Sequence, residues 1–183
     1  IKKMKGCRGN VQFSGKNGEP CYAEFDFLGV YDGTVDGAIV SPTFEATGPP
    51  VLLSAILNLD AYAAIASSWS VDMGNDTQLR ESFSAAAGYL SCLITDRRPT
   101  GKFDPEFVLV ATHDFLGKWK AGTSIALTLG PVGATQYNKY TITAPKLVYT
   151  KVGDGDRTGL MVADTGFDLA MNSGDDEIQI VFS

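Results

Sequence analysis

The segment DPEFVLVATHDFLGKWK, residues 104–120, carries the one sustained helical period in the chain. Phe107, Ala111, Phe115 and Trp119 recur every four residues, and Val108 and Leu116 widen the same stripe. Asp104 suits an N-cap, Pro105 the first helical position, and Glu106 the positive end of the helix dipole. Lys118 and Lys120 suit the negative end, and Gly122 follows as a C-terminal stop. The spacing predicts an amphipathic helix over about 104–120, with Trp119 buried at its end. Nearly all other segments alternate as strands do. The expected fold is therefore mainly β, an antiparallel β-sandwich or barrel-like domain flanked by that one helix.

Upstream, Cys7–Phe13 and Cys21–Val30 read as strands joined by the turn cluster SGKNGEP. In the second, Tyr22, Glu24, Asp26 and Leu28 alternate with Ala23, Phe25 and Phe27, the pattern of a half-buried strand. YDGTVDGAIVSPTFEATGPP, residues 31–50, has the Gly and Pro content of a linker. VLLSAILNLD (51–60) reads as a strand, and SSWSVDMG (67–74) as another with Trp69, Val71 and Met73 in alternation. NDTQLRESFSAAAG (75–88) is polar and weakly periodic, and is expected to be a long loop. Tyr89–Thr95 is a strand and DRRPTGKF (96–103) a turn. Five strand-like runs follow the predicted helix: SIALTLG, YNKYTITAP, KLVYTKV, GLMVADTGFDLAM and DEIQIVF. Pro145 is expected to separate the second from the third.

This divides the chain into residues 1–45, a β-hairpin and linker, and residues 46–183, the sandwich. AEFDFLGVYDG and TGFDLAMNSGDD are faintly alike, each a strand running into a Gly/Asp turn. Two readings of 1–45 stay open: part of the same unit, or the closing hairpin of a preceding, related domain. The chain opens on Ile1 rather than an initiator Met, which leaves open that it is a piece of something longer.

A chain of 183 residues is long enough for one domain without covalent staples. With 20% charged and 44% hydrophobic residues it is ordinary globular material. A net charge of −6 and pI near 4.7 argue against a surface that grips nucleic acid by neutralising phosphates. Such a charge is compatible with a surface that DNA passes without sticking. No apolar run reaches the roughly 18 residues of a membrane span, and the start lacks a signal-peptide pattern. Cys7, Cys21 and Cys92 have neither CxxC nor Cys/His ligand spacing and read as free thiols in a reducing compartment. A disulfide between Cys7 and Cys21, which flank the first turn, stays open.

No catalytic, cofactor or metal site is expected. His113 is the sole histidine and is expected to be a solvated helix residue; no G-x-S-x-G elbow or phosphate-cradling loop occurs. In VGDGDRTG, Asp154 and Asp156 open like a calcium loop, but Thr158 and Thr165 stand where ligands are required, so a Gly/Asp hairpin turn is the better reading. Asp175, Asp176 and Glu177 read as a solvated turn beside an apolar strand. Arg97 and Arg98 read as a solvated turn, or as ion pairs across a subunit contact. By elimination the chain reads as a binding or assembly protein rather than an enzyme.

The run SWSVDMGNDTQLRESFSAAAGYLSCLITDRRPTGKFDPE resembles the central segment of tail tube proteins of long, non-contractile-tailed phages. The likeness lies in Asp72-x-Gly74-Asn75, Arg80, the small residues up to Gly88, Thr95-Asp96-Arg97-Arg98-Pro99 and Asp104-Pro105-Glu106. Gly159-Leu160 and Gly174-Asp175-Asp176-Glu177 are similar to that family's end. The resemblance covers about residues 46–183 and implies a virion structural protein, made in the host cytoplasm. It implies hexameric rings stacked head to tail, with strands of all protomers forming one barrel around a DNA channel. Partners would be further copies, other tail proteins, and DNA sliding through without specific binding; no membrane is implied. Asn75, Asp76, Arg80, Arg97 and Arg98 are then the candidate subunit contacts, with Arg80 pairing with a carboxylate across the junction. The alternative is a monomeric β-sandwich binding module, carbohydrate-binding for example, which exposed coplanar aromatics would favour.

Overall fold

The computed structural model describes residues 1–183. Twelve strands and one helix follow in order: β1 Lys2–Lys16, β2 Tyr22–Thr34, β3 Leu57–Leu59, β4 Tyr62–Ala64, β5 Ser68–Asp72, β6 Asn75–Glu81, β7 Tyr89–Arg97, β8 Thr100–Phe103, α1 Phe115–Ala121, β9 Ser124–Val132, β10 Tyr140–Arg157, β11 Leu160–Leu169 and β12 Gln179–Phe182. With 56% strand against 4% helix the chain is mainly β, antiparallel throughout, and carries a single helix.

Strand β10 organises the sandwich-like core. Its first half pairs with β9 and β12, its second half with β11, so it belongs to both layers. One layer runs β4-β3-β9-β10 with β12 on the far side of β10; the other continues β10-β11-β8-β5-β1-β2. Between them pack the alternate residues Ile125, Leu127 and Leu129 of β9, Ile142 and Ala144 of β10, and Trp69, Val71, Phe103 and Phe167 of the second layer. Pro145 does not split β10. The ladder slips between Ala144 and Leu147, and that irregularity accommodates a residue with no N–H to donate. The β10–β11 turn is Thr158-Gly159, both at positive φ, which suits a two-residue hairpin; Asp154 and Asp156 lie within β10.

The helix is shorter than its sequence period predicts. It starts at Phe115 with Asp114 as N-cap, whose carboxylate accepts from Gly117 N–H at 2.7 Å. Gly122, in the left-handed region, closes it after Lys118 and Lys120, as expected. Residues 104–108 instead run extended beside β11: Ala163 N–H donates to Pro105 O, and Phe107 N–H to Met161 O. The Asp104 carboxylate does not cap a helix; it accepts from the backbone of Ser67 and Ser68 at 2.9 and 2.8 Å, tying the β4–β5 turn to β8. Arg157 bridges Asp104 and Glu106 from the β10–β11 hairpin. Trp119 is not buried: it is 38% exposed, held by its Nε1–H on Thr150 O at 3.0 Å.

Other expectations shift as well. Of residues 75–88 only 82–88 are a loop; Asn75–Glu81 form β6 and pair with β7 as a separate hairpin. Of 51–60 only Leu57–Leu59 is strand. Residues 35–50 return irregularly from the end of β2 to Val51 and are largely exposed. Within the hairpin ladder Cys21 adjoins the Ser14–Tyr22 pair, whereas Cys7 lies beside Gly29. Some seven residues of strand, roughly 20 Å, separate the two thiols, too far for a disulfide, and all three cysteines are free.

Candidate assembly surface

Only the last five residues of β1, Gln12–Lys16, pair with β5. Beyond Gln12 the β1–β2 hairpin leaves the sheet as a two-stranded arm, with the β6–β7 hairpin lying against it. Asn75 fastens the two: its side chain donates to Gly9 O and its N–H to Asn10 Oδ1, each at 3.0 Å. Val30 and Cys92, buried outside the main core, mark the contact between the hairpins.

The arm overturns the half-buried reading of β2. Tyr22 through Phe27 are all exposed, on both faces. Register places Phe25 opposite Val11, Ala23 opposite Phe13, and Phe27 opposite Gly9, so these six share one face. A Cβ at Gly9 would sit 2.8 Å from the Phe27 ring, so glycine is what lets that ring lie flat. Phe25 and Phe27 stack at 6.1 Å with 1° between their planes, yet remain 59% and 63% exposed. The outer edge of β2 pairs with nothing, leaving a row of free N–H and C=O groups along a long, partly apolar strand. Edge strands of that kind pair with another chain unless blocked.

The five predicted contact residues separate into two classes. Asn75 holds the hairpins together as described; Asp76 accepts from Gln78 and Thr95. Arg97 bridges Asp175 and Glu177, each at 2.8 Å, and Arg98 bridges Asp168. Glu177 is thus buried beneath Arg97 rather than part of a solvated turn. Arg80, on the exposed β6, has no ion-pair partner within its own chain.

His113 is also relocated. It precedes α1 and is buried, its Nε2 3.1 Å from the Tyr149 hydroxyl and its ring against Tyr62 and Phe115. Burial pushes its pKa down, helped by Lys118 and opposed by Asp60 and Asp114. Burial likewise raises the Tyr149 pKa. This pair holds the segment before α1 onto the sheet, out of reach of a solute. A groove of about 490 Å³, lined mostly by polar residues, lies along the outer sheet face, with Ser14, Ser70 and Lys102 in its lining.

Sequence reasoning missed the Phe25–Phe27 stripe as a surface because its alternation with Glu24 and Asp26 is also that of a strand with one buried face. The tell-tale was the absence of a compensating apolar segment to cover it. No protein-family model and no characterised protein matches the chain.

Proposed function

We propose that this chain is a structural protein of the virion, one that assembles with further copies of itself into stacked rings of a phage tail tube through which DNA passes. One observation carries the reading: a protruding arm whose free edge, and the Phe25 and Phe27 side chains on its apolar face, find no cover within their own chain. A donor surface on one flank and an acceptor elsewhere make a heterologous contact, which grows rings and filaments rather than closed dimers. The residue resemblance over 46–183 supplies the particular assembly, and the acidic charge suits a channel from which DNA must slide freely. The test is light scattering and negative-stain microscopy over rising protein concentration. Rings and tubes are expected; a protein that stays monomeric at millimolar concentration overturns the proposal.

The monomeric binding-module reading is favoured by one observation, the coplanar exposed pair Phe25 and Phe27. Their neighbours on that face are Val11, Phe13, Ala23 and Gly9, which offer no side-chain hydrogen bonds to sugar hydroxyls. Glycan binding by a strictly monomeric protein, lost in Phe25→Ala, would establish it over assembly.

A further inference from the structure

The apolar stripe of the arm does not end at Ala23. It runs into a seam between the two layers, where β2 and β12, both paired on one side only, border an apolar cavity of about 120 Å³. Phe13, Ala23, Trp69, Tyr140, Ile180 and Phe182 line it. Two buried polar atoms there have no oxygen or nitrogen partner, Trp69 Nε1 and Tyr140 Oη. Each residue is 9% exposed. The Cys21 thiol reaches the Tyr140 hydroxyl, but a thiol is a weak partner and does not replace an oxygen; Trp69 Nε1 has none. Buried donors left without strong acceptors destabilise the chain that carries them. An apolar cavity with two such donors is therefore suited to apolar side chains accompanied by a carbonyl oxygen, which is the chemistry of an inserted strand. Its size approaches the roughly 150 Å³ cavity that takes up benzene.

We propose that this seam receives the Ile39–Phe44 segment of a second copy of the chain, laid as an edge strand along β12 with Pro42, which has no N–H to donate, turned away from the ladder and the apolar side chains in the cavity. The inference rests on the self-assembly proposed above and names the contact. Ile39, Val40 and Phe44 are 97%, 76% and 83% exposed in their own molecule. Their segment is hydrogen-bonded to the rest only near its ends, where Val35 meets Ile1 and Gly48 accepts from Asn138. Its own cover is thus missing, as is the seam's. Charge agrees: between residues 35 and 50 the only ionisable side chains are Asp36 and Glu45. Lys139, without an ion-pair partner, stands where the seam opens beside Cys21 and Phe182. Area sets the scale of the contact. At about 200 Å² per aromatic side chain, the exposed parts of Tyr22, Phe25, Phe27 and Phe182 on one copy and of Ile39, Val40 and Phe44 on the other come to roughly 900 Å² per junction, both copies together. That is the size of a weak contact, one that repetition around a ring multiplies.

Cys21 makes the contact testable by cross-linking. Phe44→Cys, combined with Cys7→Ser, is concentrated and exposed to a mild oxidant. Expected is a ladder of covalent oligomers on non-reducing gels that grows with protein concentration and disappears when Cys21→Ser is added. A concentration-independent, faster-migrating monomer would show that the segment folds onto its own seam, and would overturn the proposal. Rings or tubes in the microscope without a Cys21-dependent link would overturn this contact and leave self-assembly standing. Failure of the unaltered protein to associate at all would overturn both. A second variant, Phe44→Asp, is expected to raise the concentration needed for assembly at least tenfold with an unchanged melting temperature. Assembly at the unaltered concentration would also overturn the proposal.

Discussion

His113 Nε2 lies 3.1 Å from the Tyr149 hydroxyl, and both side chains are buried where the segment before α1 meets the sheet. The folded state holds His113 below its usual pKa, chiefly by burial, while the unfolded chain titrates near the ordinary value of about 6.5. As pH falls through that value the unfolded chain takes up a proton that the folded chain resists. Stability is therefore full above about pH 6.5, declines below it, and levels off once the folded-state pKa is passed. Urea denaturation at pH 7.5 and pH 5 is expected to show that loss in the unaltered protein, and a smaller one in His113→Gln. Equal losses in both proteins would show that His113 does not titrate on unfolding.

Asp104 loses stabilisation in the same direction, in a more acidic range. Burial pulls its carboxyl upward, but hydrogen bonds from Ser67 and Ser68 together with Arg157 outweigh burial and hold it below the usual carboxylate value. Its stabilisation is present above about pH 4 and is lost as pH falls through the lowered folded-state pKa. Asp104→Ala is expected to cost about 2 kcal/mol at pH 7, since charge-assisted bonds are lost and Arg157 loses a partner. Denaturant melts at pH 7 and pH 3 check this, with the two proteins converging at the lower pH.

Trp119→Ala should cost about 2 kcal/mol, less than the 3–5 kcal/mol of a fully buried aromatic, because the ring is half-covered and contributes one hydrogen bond to Thr150. Phe167→Ala, in the centre of the core at 2% exposure, should cost about 4 kcal/mol. Equal losses for the two would contradict the exposed position of Trp119.

These residues also mark where the fold was legible in the sequence. Trp69 and Val71, and Ile125, Leu127 and Leu129, alternate because one face of their strands is sealed inside the sandwich, and that period survives in the sequence. The run from Phe107 to Trp119 has a helical period of which only Phe115–Trp119 lie in the helix. Asp104 and Glu106 are drawn off by Ser67, Ser68 and Arg157, partners more than thirty residues away that no local pattern reveals. β6 went unseen because NDTQLRE has little apolar alternation; it is held by its ladder to β7 and by Asn75 on the arm. The arm itself was legible as a hairpin, but alternation cannot say whether the apolar side of a strand meets its own chain or another.

Arg80 gives the sharpest contrast for assembly. It is exposed on β6 without an ion-pair partner, whereas Arg97 is committed to Asp175 and the buried Glu177. If Arg80 pairs with a carboxylate of a neighbouring copy, Arg80→Glu replaces attraction with repulsion across that junction and alters nothing within the monomer. The expected outcome is loss of ring and tube formation, read by light scattering, with a melting temperature within about one degree of the unaltered protein, as for a surface change that breaks no internal contact. Arg97→Ala should do the reverse at the level of the monomer, lowering stability by about 2 kcal/mol because Glu177 is left buried without its cation. Tube formation by Arg80→Glu at the unaltered concentration would remove Arg80 from the interface. A lowered melting temperature in that variant would instead assign the residue to the arm's own packing, since β6 rests against the hairpin that carries Phe25 and Phe27.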